Sequence, residues 1–327
     1  MNLAIMLGNK CTASCPHCAT FSSPEDESLL QQEQVYSLLE EAHQLSKKQK
    51  RLSVCFTGGE PFLYFDQLVQ AVNYAHLKGA TVSVVTNGFW ATCEKDTRDR
   101  VNHLKNAGLS LIALSCDLFH FQYVPFDNIR RVIIETKECG IKIALKNTII
   151  KGSPRAGDIF KELEDIIIDR SISIDETRCL PLGRGRNIPA EEFIYDKNMP
   201  DQKCGGIGNF TIDSHGNLYP CCVPDWPALL CLGNIYQNSL PELMDKAHNS
   251  CLLGILIRKG PSYFVPFLQK AGFDFSQKHY INTCHLCNET LKLYKQDQKA
   301  QDAISEALKK WKEIREKERK IAGILLT

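Results

Sequence analysis

Residues 1–18 read MNLAIMLGNKCTASCPHC and join a short apolar run to three closely spaced cysteines. The apolar run at 3–7 lacks a basic start and is too short for a signal peptide, so it predicts a first β-strand. Cys11, Cys15 and Cys18 follow this strand on one tight loop with C-x3-C-x2-C spacing. Three thiolates so placed can bind three irons of a 4Fe–4S cluster and leave the fourth iron without a protein ligand. A zinc site that includes His17, or a plain electron-transfer cluster, is the alternative for this loop.

Beyond the cysteine loop, short apolar runs alternate regularly with longer amphipathic segments. The apolar runs predict strands at 3–7, 53–58, 80–87, 109–116, 142–150 and 176–183. The amphipathic segments predict helices at 32–46, 65–77, 97–105, 128–139 and 157–169. A spacing of about thirty residues per unit is typical of right-handed βαβ units and a parallel sheet. Six units predict an α/β fold, a partial (β/α)6 barrel of the TIM type, with its chemistry at the carboxyl ends of the strands.

Composition excludes several classes of function. The formal net charge of the 327-residue chain is +1, which gives no sign of a nucleic-acid or acidic-membrane partner. No stretch approaches the roughly eighteen apolar residues of a membrane helix. The chain contains fifteen cysteines, which is an odd number, and it shows no export signal. Both features argue against a disulfide framework. We therefore expect a cytoplasmic protein whose clustered cysteines bind metal or take part in catalysis.

The cysteine loop resembles the radical S-adenosylmethionine (SAM) superfamily. The family pattern C-x3-C-x-Φ-C is matched in full, with His17 at the aromatic position that leans on the adenine. The second predicted strand ends in TGGEP (57–61), like the family's GGE motif, which holds the methionyl ammonium of SAM. Glycines permit close backbone approach, and a carboxylate pairs well with an ammonium.

Polar residues at later strand ends match family positions more loosely. The family positions contact the ribose, carboxylate or adenine of SAM, and the alternative is that these residues only cap the strand ends. The resemblance implies a SAM-binding set of His17, Gly58, Gly59, Glu60, Ser115, Asp117, Asn147 and Arg184.

A second cysteine constellation lies near the C-terminus. The run FTIDSHGNLYPCC (210–222) predicts a hairpin around Gly216, and a C-x2-C pair follows far downstream. These features resemble the shortened SPASM, or twitch, domain of peptide-modifying radical SAM enzymes. The resemblance implies an auxiliary 4Fe–4S cluster, with a zinc ribbon as the alternative. The implied ligands are Cys204, Cys221, Cys284 and Cys287.

The chain is thus predicted to contain four segments. They are a barrel at 1–186, a polar connector at 187–203, an auxiliary-cluster domain at 204–290 and a charged helix at 291–327. The charged helical pattern itself begins at residue 288 and is expected to form one amphipathic helix.

Cys222 remains outside the implied ligand set, directly beside Cys221. Adjacent residues on an extended chain point to opposite sides, so the two cysteines are not expected to bind the same cluster. The Cys-Cys pair and the run NGFW (87–90) resemble radical SAM peptide epimerases of the YydG/EpeE type. In that family the second cysteine of the pair quenches the substrate radical, which implies this role for Cys222. The alternative is a buried thiol without a chemical role. The chain departs from the family by its additional cysteines, Cys116, Cys179, Cys231 and Cys251, of which Cys231 or Cys251 could compete as ligand or donor.

The resemblance implies an enzyme that converts L- to D-residues in a ribosomally synthesised peptide. A 5′-deoxyadenosyl radical would remove the Cα hydrogen, and Cys222 would return one on the opposite face. The expected partners are a precursor peptide and an external reductant of the flavodoxin or ferredoxin type, without nucleic acid or membrane. One alternative is a radical SAM maturase that forms a thioether or a carbon–carbon crosslink. The other is a non-catalytic iron–sulfur sensor or electron carrier.

Overall fold

A computed structural model describes residues 1–47, 51–167, 172–222, 227–276 and 279–324. Six parallel strands that pair in sequence order form the centre of the first of two compact units. They are β1 Asn2–Gly8, β2 Ser53–Gly58, β3 Thr81–Thr86, β4 Leu109–Ser115, β5 Lys142–Ile149 and β6 Ile172–Arg178. Parallel neighbours need long crossover connections, which helices supply here. These helices are α1 Gln32–Ser46, α2 Phe65–Leu77, α3 Glu94–Asn106, α4 Phe126–Glu138 and α5 Ala156–Glu162. The predicted α/β fold with six parallel strands is confirmed, with five of the strands followed by an α-helix.

Strand β2 shows how the sheet separates its two faces. Val54 and Phe56 are fully buried, and α2 packs against this strand and its neighbour β3. The intervening residues Cys55 and Thr57 are only half-buried. Because successive side chains of a strand point to opposite faces, the sheet packs one face on its helices and presents the other as its inner face.

The predicted position of the sixth strand is wrong. The apolar pattern predicts it at 176–183, but β6 begins at Ile172 and ends at Arg178. This strand lies at the edge of the sheet, and its exposed residues Ser173, Asp175 and Thr177 are polar. Its sequence therefore contains no apolar run that would predict a strand. The apolar residues after Arg178 belong to the following loop. Helix α5 also ends earlier than predicted, at Glu162, and residues 168–169 of that prediction lie outside the described residues.

The hairpin predicted around Gly216 is present and joins the same sheet. Strand β7, Asn209–Ile212, pairs in parallel with β1, and β8, Asn217–Tyr219, returns antiparallel to it. Gly216 has a φ of +84°, which a glycine adopts without strain. A short strand β9, Gly233–Asn234, completes a nine-stranded sheet. The first unit therefore contains residues 1–194, this hairpin and residues 233–242.

The rest of the C-terminal region is helical. Its helices are α6 Leu240–Asn249, α7 Cys251–Lys259, α8 Val265–Lys270, α9 Thr283–Gln296 and α10 Gln298–Ile324. Within the second unit, α10 packs against α7, α8 and α9. The expected single charged helix is wrong, because the chain breaks at Asp297, which is extended at φ −148°. The Asp297 carboxylate accepts hydrogen bonds from the first backbone N–H groups of α10, so it caps a new helix. Residues 325–327 of the predicted segment lie outside the described residues.

Among the residues that the structure describes, no single helix is long and apolar enough to cross a membrane. The two helical segments Cys251–Lys259 and Pro261–Lys270 together have the length and composition of a membrane span, but they meet at a bend of 112°.

Candidate functional site

A cavity of about 320 Å³ lies at the carboxyl ends of β2, β3 and β4 in the first unit. Most of the predicted site residues of the barrel line it, namely Cys11, Cys15, His17, Cys18, Gly58, Gly59, Ser115 and Arg184. The lining residues that were not predicted include Thr86, Asn87 and His120. Glu60, Asp117 and Asn147 are not among the lining residues, and they are only 1–2% exposed.

The cysteine loop is closed by a hydrogen-bond network around Asn9. The Asn9 amide donates to the Thr20 carbonyl at 3.1 Å and to the Asp26 carboxylate at 2.8 Å. The Ser22 hydroxyl donates to Asn9 Oδ1 at 2.6 Å. These bonds join the two ends of the loop that carries the three cysteines, so its shape does not depend on the cysteines alone.

Arg184 ties the same loop to the segment after β6. Its guanidinium donates to the Cys15 carbonyl at 3.0 Å and to the Ser22 carbonyl at 2.7 Å, while its backbone N–H donates to the Cys18 carbonyl. The preceding Gly183, with a φ of +54°, approaches the backbone of Ala19 so closely that a Cβ would lie 2.5 Å from it. Arg184 was predicted as a SAM contact, and the structure shows in addition that it holds the cysteine loop.

The Gly-Gly turn after β2 packs directly on the chain that leads into the cysteine loop. Gly59 donates to the Gly8 carbonyl at 2.9 Å, and Glu60 donates to the Lys10 carbonyl at 2.8 Å. A Cβ on Gly58 would lie 2.1 Å from the Gly8 carbonyl oxygen, and one on Gly59 would lie 2.1 Å from the Lys10 carbonyl oxygen. Both glycines are therefore required by backbone packing, independently of any ligand.

Replacing Gly59 by alanine should displace the chain before Cys11 and impair cluster loading. The added Cβ meets backbone oxygens, which cannot turn away as a side chain could, and overpacking of this kind costs roughly 1–3 kcal/mol. Gly157→Ala is the matched control, because Gly157 lies in α5 and a Cβ added there would have no atom within 4 Å. We expect less iron per chain and a lower thermal midpoint for Gly59→Ala only. Equal iron contents in the two variants would contradict the packing argument.

Glu60 links the ends of β2 and β3. Its Oε1 accepts hydrogen bonds from the Phe62 N–H at 3.0 Å and the Thr86 hydroxyl at 2.8 Å, and its Oε2 accepts from the Asn87 N–H at 2.7 Å. Burial raises the pKa of Glu60 to about 7, although these hydrogen bonds favour the carboxylate. The Trp90 indole in turn donates to the Thr86 hydroxyl. The NGFW run therefore has a structural role at this turn, and a carboxylate with several acceptor positions still has room for a further donor.

Oδ1 of Asp117 is held by the turn that follows it. Its Oδ1 accepts hydrogen bonds from the Phe119 and His120 N–H groups at 3.0 and 3.1 Å and lies 2.9 Å from Nδ1 of the His120 ring. Burial opposes ionisation, but these hydrogen bonds and the charge of His120 lower the pKa of Asp117. Burial alone would lower the pKa of His120, yet its bonds to Asp117 and Cys15 raise that pKa to about 10. His120 is not among the site residues that the sequence predicts, although an aspartate followed three residues later by a histidine is a local pattern that could have indicated it.

His17 lies between aromatic neighbours. Its ring stacks on Phe119 with centroids 4.4 Å apart and meets His120 edge-on at 5.1 Å. Its Nδ1 is buried, with no hydrogen-bond partner in the described part of the chain. The ligand atoms of His17, Asp117 and His120 lie within 4.8 Å of one another. We assign no metal to them, because Asp117 and His120 already bind each other.

Asn147, predicted as a SAM contact, is buried and is not among the residues that line the cavity. Its amide donates to the Pro154 carbonyl at 3.0 Å, which holds the loop after β5. Its Oδ1 is buried and has no partner within the described residues.

The donor set of the cavity fits a cluster that carries a chelating ligand. Three thiols from one loop face one cavity, and thiolates are the ligands that iron–sulfur clusters take. The buried Nδ1 of His17 and the glycine turn add polar groups on the same wall. Burial raises the pKa of Cys11 to about 12 in the protein alone, so cluster binding must displace the thiol proton.

The C-terminal cysteines occupy both units. Cys284 and Cys287 lie in the first turn of α9, which Asn282 caps by accepting from the His285 N–H at 3.0 Å. Residues three apart on a helix share one face, so the helix brings these two thiols together. Cys204 belongs to the same unit, where its N–H donates to the Leu256 carbonyl. Cys221 lies in the first unit after β8.

The remaining cysteines differ sharply in burial. Cys221 is 7% exposed, whereas the adjacent Cys222 is exposed, as expected for neighbours on an extended chain. Cys116 and Cys179 are buried, and burial followed by the charge of Asp117 raises the pKa of each to about 12. Cys231 is exposed, and Cys251 is half-buried at the start of α7.

Two family models match this chain. The radical SAM superfamily matches residues 5–152, and SPASM, an iron–sulfur cluster-binding domain, matches residues 204–288. Together they cover more than half of the chain. The radical SAM match implies that the protein binds SAM and a 4Fe–4S cluster. The SPASM match implies an auxiliary iron–sulfur cluster, which favours iron–sulfur over zinc at the C-terminal cysteines.

Individual proteins agree with these matches. YydG of Bacillus subtilis (strain 168), whose name assigns it to peptide biosynthesis, is 24% identical over 87% of this chain and 90% of its own length. GTP 3′,8-cyclase of Aquifex aeolicus (strain VF5) is 27% identical over 68% of this chain and 82% of its own. The solved structure of hexahistidine-tagged anSMEcpe with bound AdoMet has the same fold, with a TM-score of 0.57 at 14% identity over 90% of this chain and 96% of that one. The chain therefore belongs to the radical SAM superfamily and carries a C-terminal SPASM iron–sulfur domain.

Proposed function

We propose that this radical SAM enzyme is a peptide epimerase, which converts L- to D-residues in a ribosomally synthesised precursor peptide. It is a peptide-modifying enzyme of the YydG-like kind, and the likeness to YydG supports a peptide as the substrate. In this proposal Cys11, Cys15 and Cys18 hold the SAM cluster, and Cys204, Cys221, Cys284 and Cys287 hold the auxiliary cluster. The SAM contacts are proposed to come from His17, Gly58, Gly59, Glu60, Ser115, Asp117, Asn147 and Arg184.

The position of Cys222 relative to the inner face of the sheet carries the proposal. Burial is the main cause of the raised pKa of Cys55, and the charge of Cys222 contributes a smaller increase, so Cys222 acts on this side chain electrostatically. Cys55 shares the inner face of β2 with Thr57, because they are two residues apart on one strand. Thr57 lines the cavity that contains the three loop cysteines. An exposed thiol that acts electrostatically on the inner face of the sheet suits a hydrogen donor to a substrate radical.

The chemistry requires one hydrogen to leave and another to arrive. When bound, the cluster and SAM supply a 5′-deoxyadenosyl radical that takes the Cα hydrogen of an L-residue, with methionine and 5′-deoxyadenosine as products. Cys222 then gives its S–H hydrogen to the opposite face of the planar Cα radical, which yields the D-residue. The resulting Cys222 thiyl radical takes one electron from a flavodoxin- or ferredoxin-type reductant and one proton from solvent, and returns to the thiol.

Product mass in heavy water tests this function. The cluster-loaded enzyme is incubated in D₂O with SAM, a strong one-electron reductant and a candidate precursor peptide. Because a thiol exchanges its hydrogen with solvent, we expect one deuterium at each epimerised Cα and no other change in mass. A product that has lost two hydrogens would identify a thioether or carbon–carbon crosslink instead. Failure to form 5′-deoxyadenosine under any of these conditions would indicate a non-catalytic iron–sulfur protein.

A further inference from the structure

Asn87, the residue after β3, contacts the cysteine loop through its side chain. Its amide Nδ2 donates to Thr12 Oγ1 at 3.1 Å and to Cys11 Sγ at 3.8 Å. An asparagine amide carries two N–H donors, so each of these acceptors can receive one of them. A side chain at the end of β3 thus reaches the first of the three clustered thiols.

The orientation of this amide is fixed by its neighbours. The oxygen and nitrogen of an asparagine side chain are alike in shape, so their assignment must follow from the hydrogen bonds. The Phe89 backbone N–H, which can only donate, lies 2.9 Å from Asn87 Oδ1. The Asn87 N–H in turn donates to Glu60 Oε2 at 2.7 Å, and the whole residue is only 4% exposed. The amide nitrogen is therefore held toward the cysteine loop by the protein.

The hydroxyl beside Cys18 acts differently. The Thr20 hydroxyl lies 3.3 Å from Cys18 Sγ and 2.7 Å from the Ser22 hydroxyl. Ser22 donates its only hydrogen to Asn9 Oδ1 at 2.6 Å, so it must accept the hydrogen of Thr20. The Thr20 hydroxyl consequently does not donate to the sulfur, in contrast to the amide that contacts Cys11.

We propose that Asn87 is a positioning residue that raises the reduction potential of the radical SAM cluster by donating an N–H hydrogen bond to Cys11 Sγ. The proposal rests on the assignment of Cys11 as an iron ligand and is independent of the reaction on the peptide. A thiolate accepts a hydrogen bond more strongly than a neutral group does. Such a bond withdraws negative charge from the sulfur and stabilises the reduced cluster, and hydrogen bonds to the sulfurs are among the determinants of cluster potentials.

Redox titration of the cluster-loaded protein, followed by electron paramagnetic resonance, tests this role without an activity assay. Asn87→Leu keeps the branched shape of the side chain and removes both donors. We expect the ratio of reduced to oxidised SAM cluster at a fixed potential to fall about threefold, or about 28 mV at about 59 mV per tenfold change for a one-electron couple. Asn87→Ala removes the same donors with a smaller side chain and should shift the potential in the same direction. An unchanged or raised potential in both variants would overturn the proposal.

Asn128→Leu is the matched control, because Asn128 is a second buried asparagine on the same turn. Its amide donates to the Gly88 and Phe89 carbonyls at 3.3 and 3.2 Å, and its Oδ1 accepts from Arg131. The same substitution therefore disturbs the turn after β3 without removing the amide that faces the cysteine loop. We expect the SAM cluster of this variant, and the auxiliary cluster of every variant, to keep their potentials. An equal shift in Asn128→Leu, or an equal shift of both clusters, would overturn the proposal.

Iron content and hyperfine spectroscopy separate tuning from loss of the loop. With isotope-labelled asparagine amide nitrogens, the reduced SAM cluster should show a weak nitrogen coupling that Asn87→Leu lacks, and its absence from the unaltered protein would contradict the hydrogen bond. If both Asn87 variants fold but bind less iron than Asn128→Leu, the residue only holds the loop and the proposal fails. A SAM-responsive cluster that survives in a Cys11→Ala variant would instead show that the ligand assignment is wrong.

Discussion

A Cys222→Ala variant should form no D-residue while it continues to produce 5′-deoxyadenosine from SAM. The loss is expected to be complete, because no other group is proposed to return a hydrogen to the opposite face of the substrate radical. Radical formation depends on a different set of residues, those around the three-cysteine loop, and should continue at a similar rate. Chiral analysis of the hydrolysed peptide and quantification of 5′-deoxyadenosine from the same reactions measure both outcomes.

Matched variants show whether the thiol chemistry or the local structure is responsible. Cys222→Ser keeps the size of the side chain, but its O–H bond is too strong to donate a hydrogen atom to a carbon radical, so it should behave like Cys222→Ala. Cys139→Ala, at the end of α4, changes a cysteine outside the cavity and should retain D-residue formation. Loss of the D-product in Cys231→Ala or Cys251→Ala, with normal product from Cys222→Ala, would contradict the assignment of Cys222.

Replacing Cys11, Cys15 and Cys18 together by alanine should reduce 5′-deoxyadenosine formation to the level without enzyme. The cavity then lacks the three thiolates that hold the cluster, and the rest of its described wall offers no comparable set of soft ligands. Two 4Fe–4S clusters require about eight iron atoms per chain, so we expect this variant to retain about four. Iron analysis and the reaction with SAM and a strong reductant measure the two effects.

The reciprocal variant provides the control for this experiment. Cys284→Ala/Cys287→Ala removes two neighbouring thiols of α9 and should also leave about four irons per chain, but with 5′-deoxyadenosine formation preserved. Full iron content in the three-cysteine variant would contradict the assignment of the SAM cluster. If the α9 variant instead lost zinc and no iron, the auxiliary site would be a zinc site.

Several features of the fold were predictable because they depend on local sequence patterns. Helices α1 and α2 and strand β2 have the bounds that their apolar periodicity predicts. The edge strand β6 was misplaced because one of its faces is exposed and polar, so burial left no apolar run in its sequence. The charged C-terminal pattern was divided into two helices by a single capping residue, Asp297, which a periodicity search does not detect.

The cysteine spacing and the Gly-Gly-Glu turn indicate the chemistry of the site without a structure, because they are short motifs whose residues act as neighbours. How the chain supports that site depends on contacts between distant residues. Arg184 holds the carbonyl of Cys15 across a separation of 169 residues, and Glu60 holds Asn87 across 27. The Tyr123 hydroxyl likewise donates to the Ser14 carbonyl across a separation of 109 residues. Such contacts form because parallel strands bring their carboxyl ends to one edge of the sheet, and a single sequence does not show which side chains meet there.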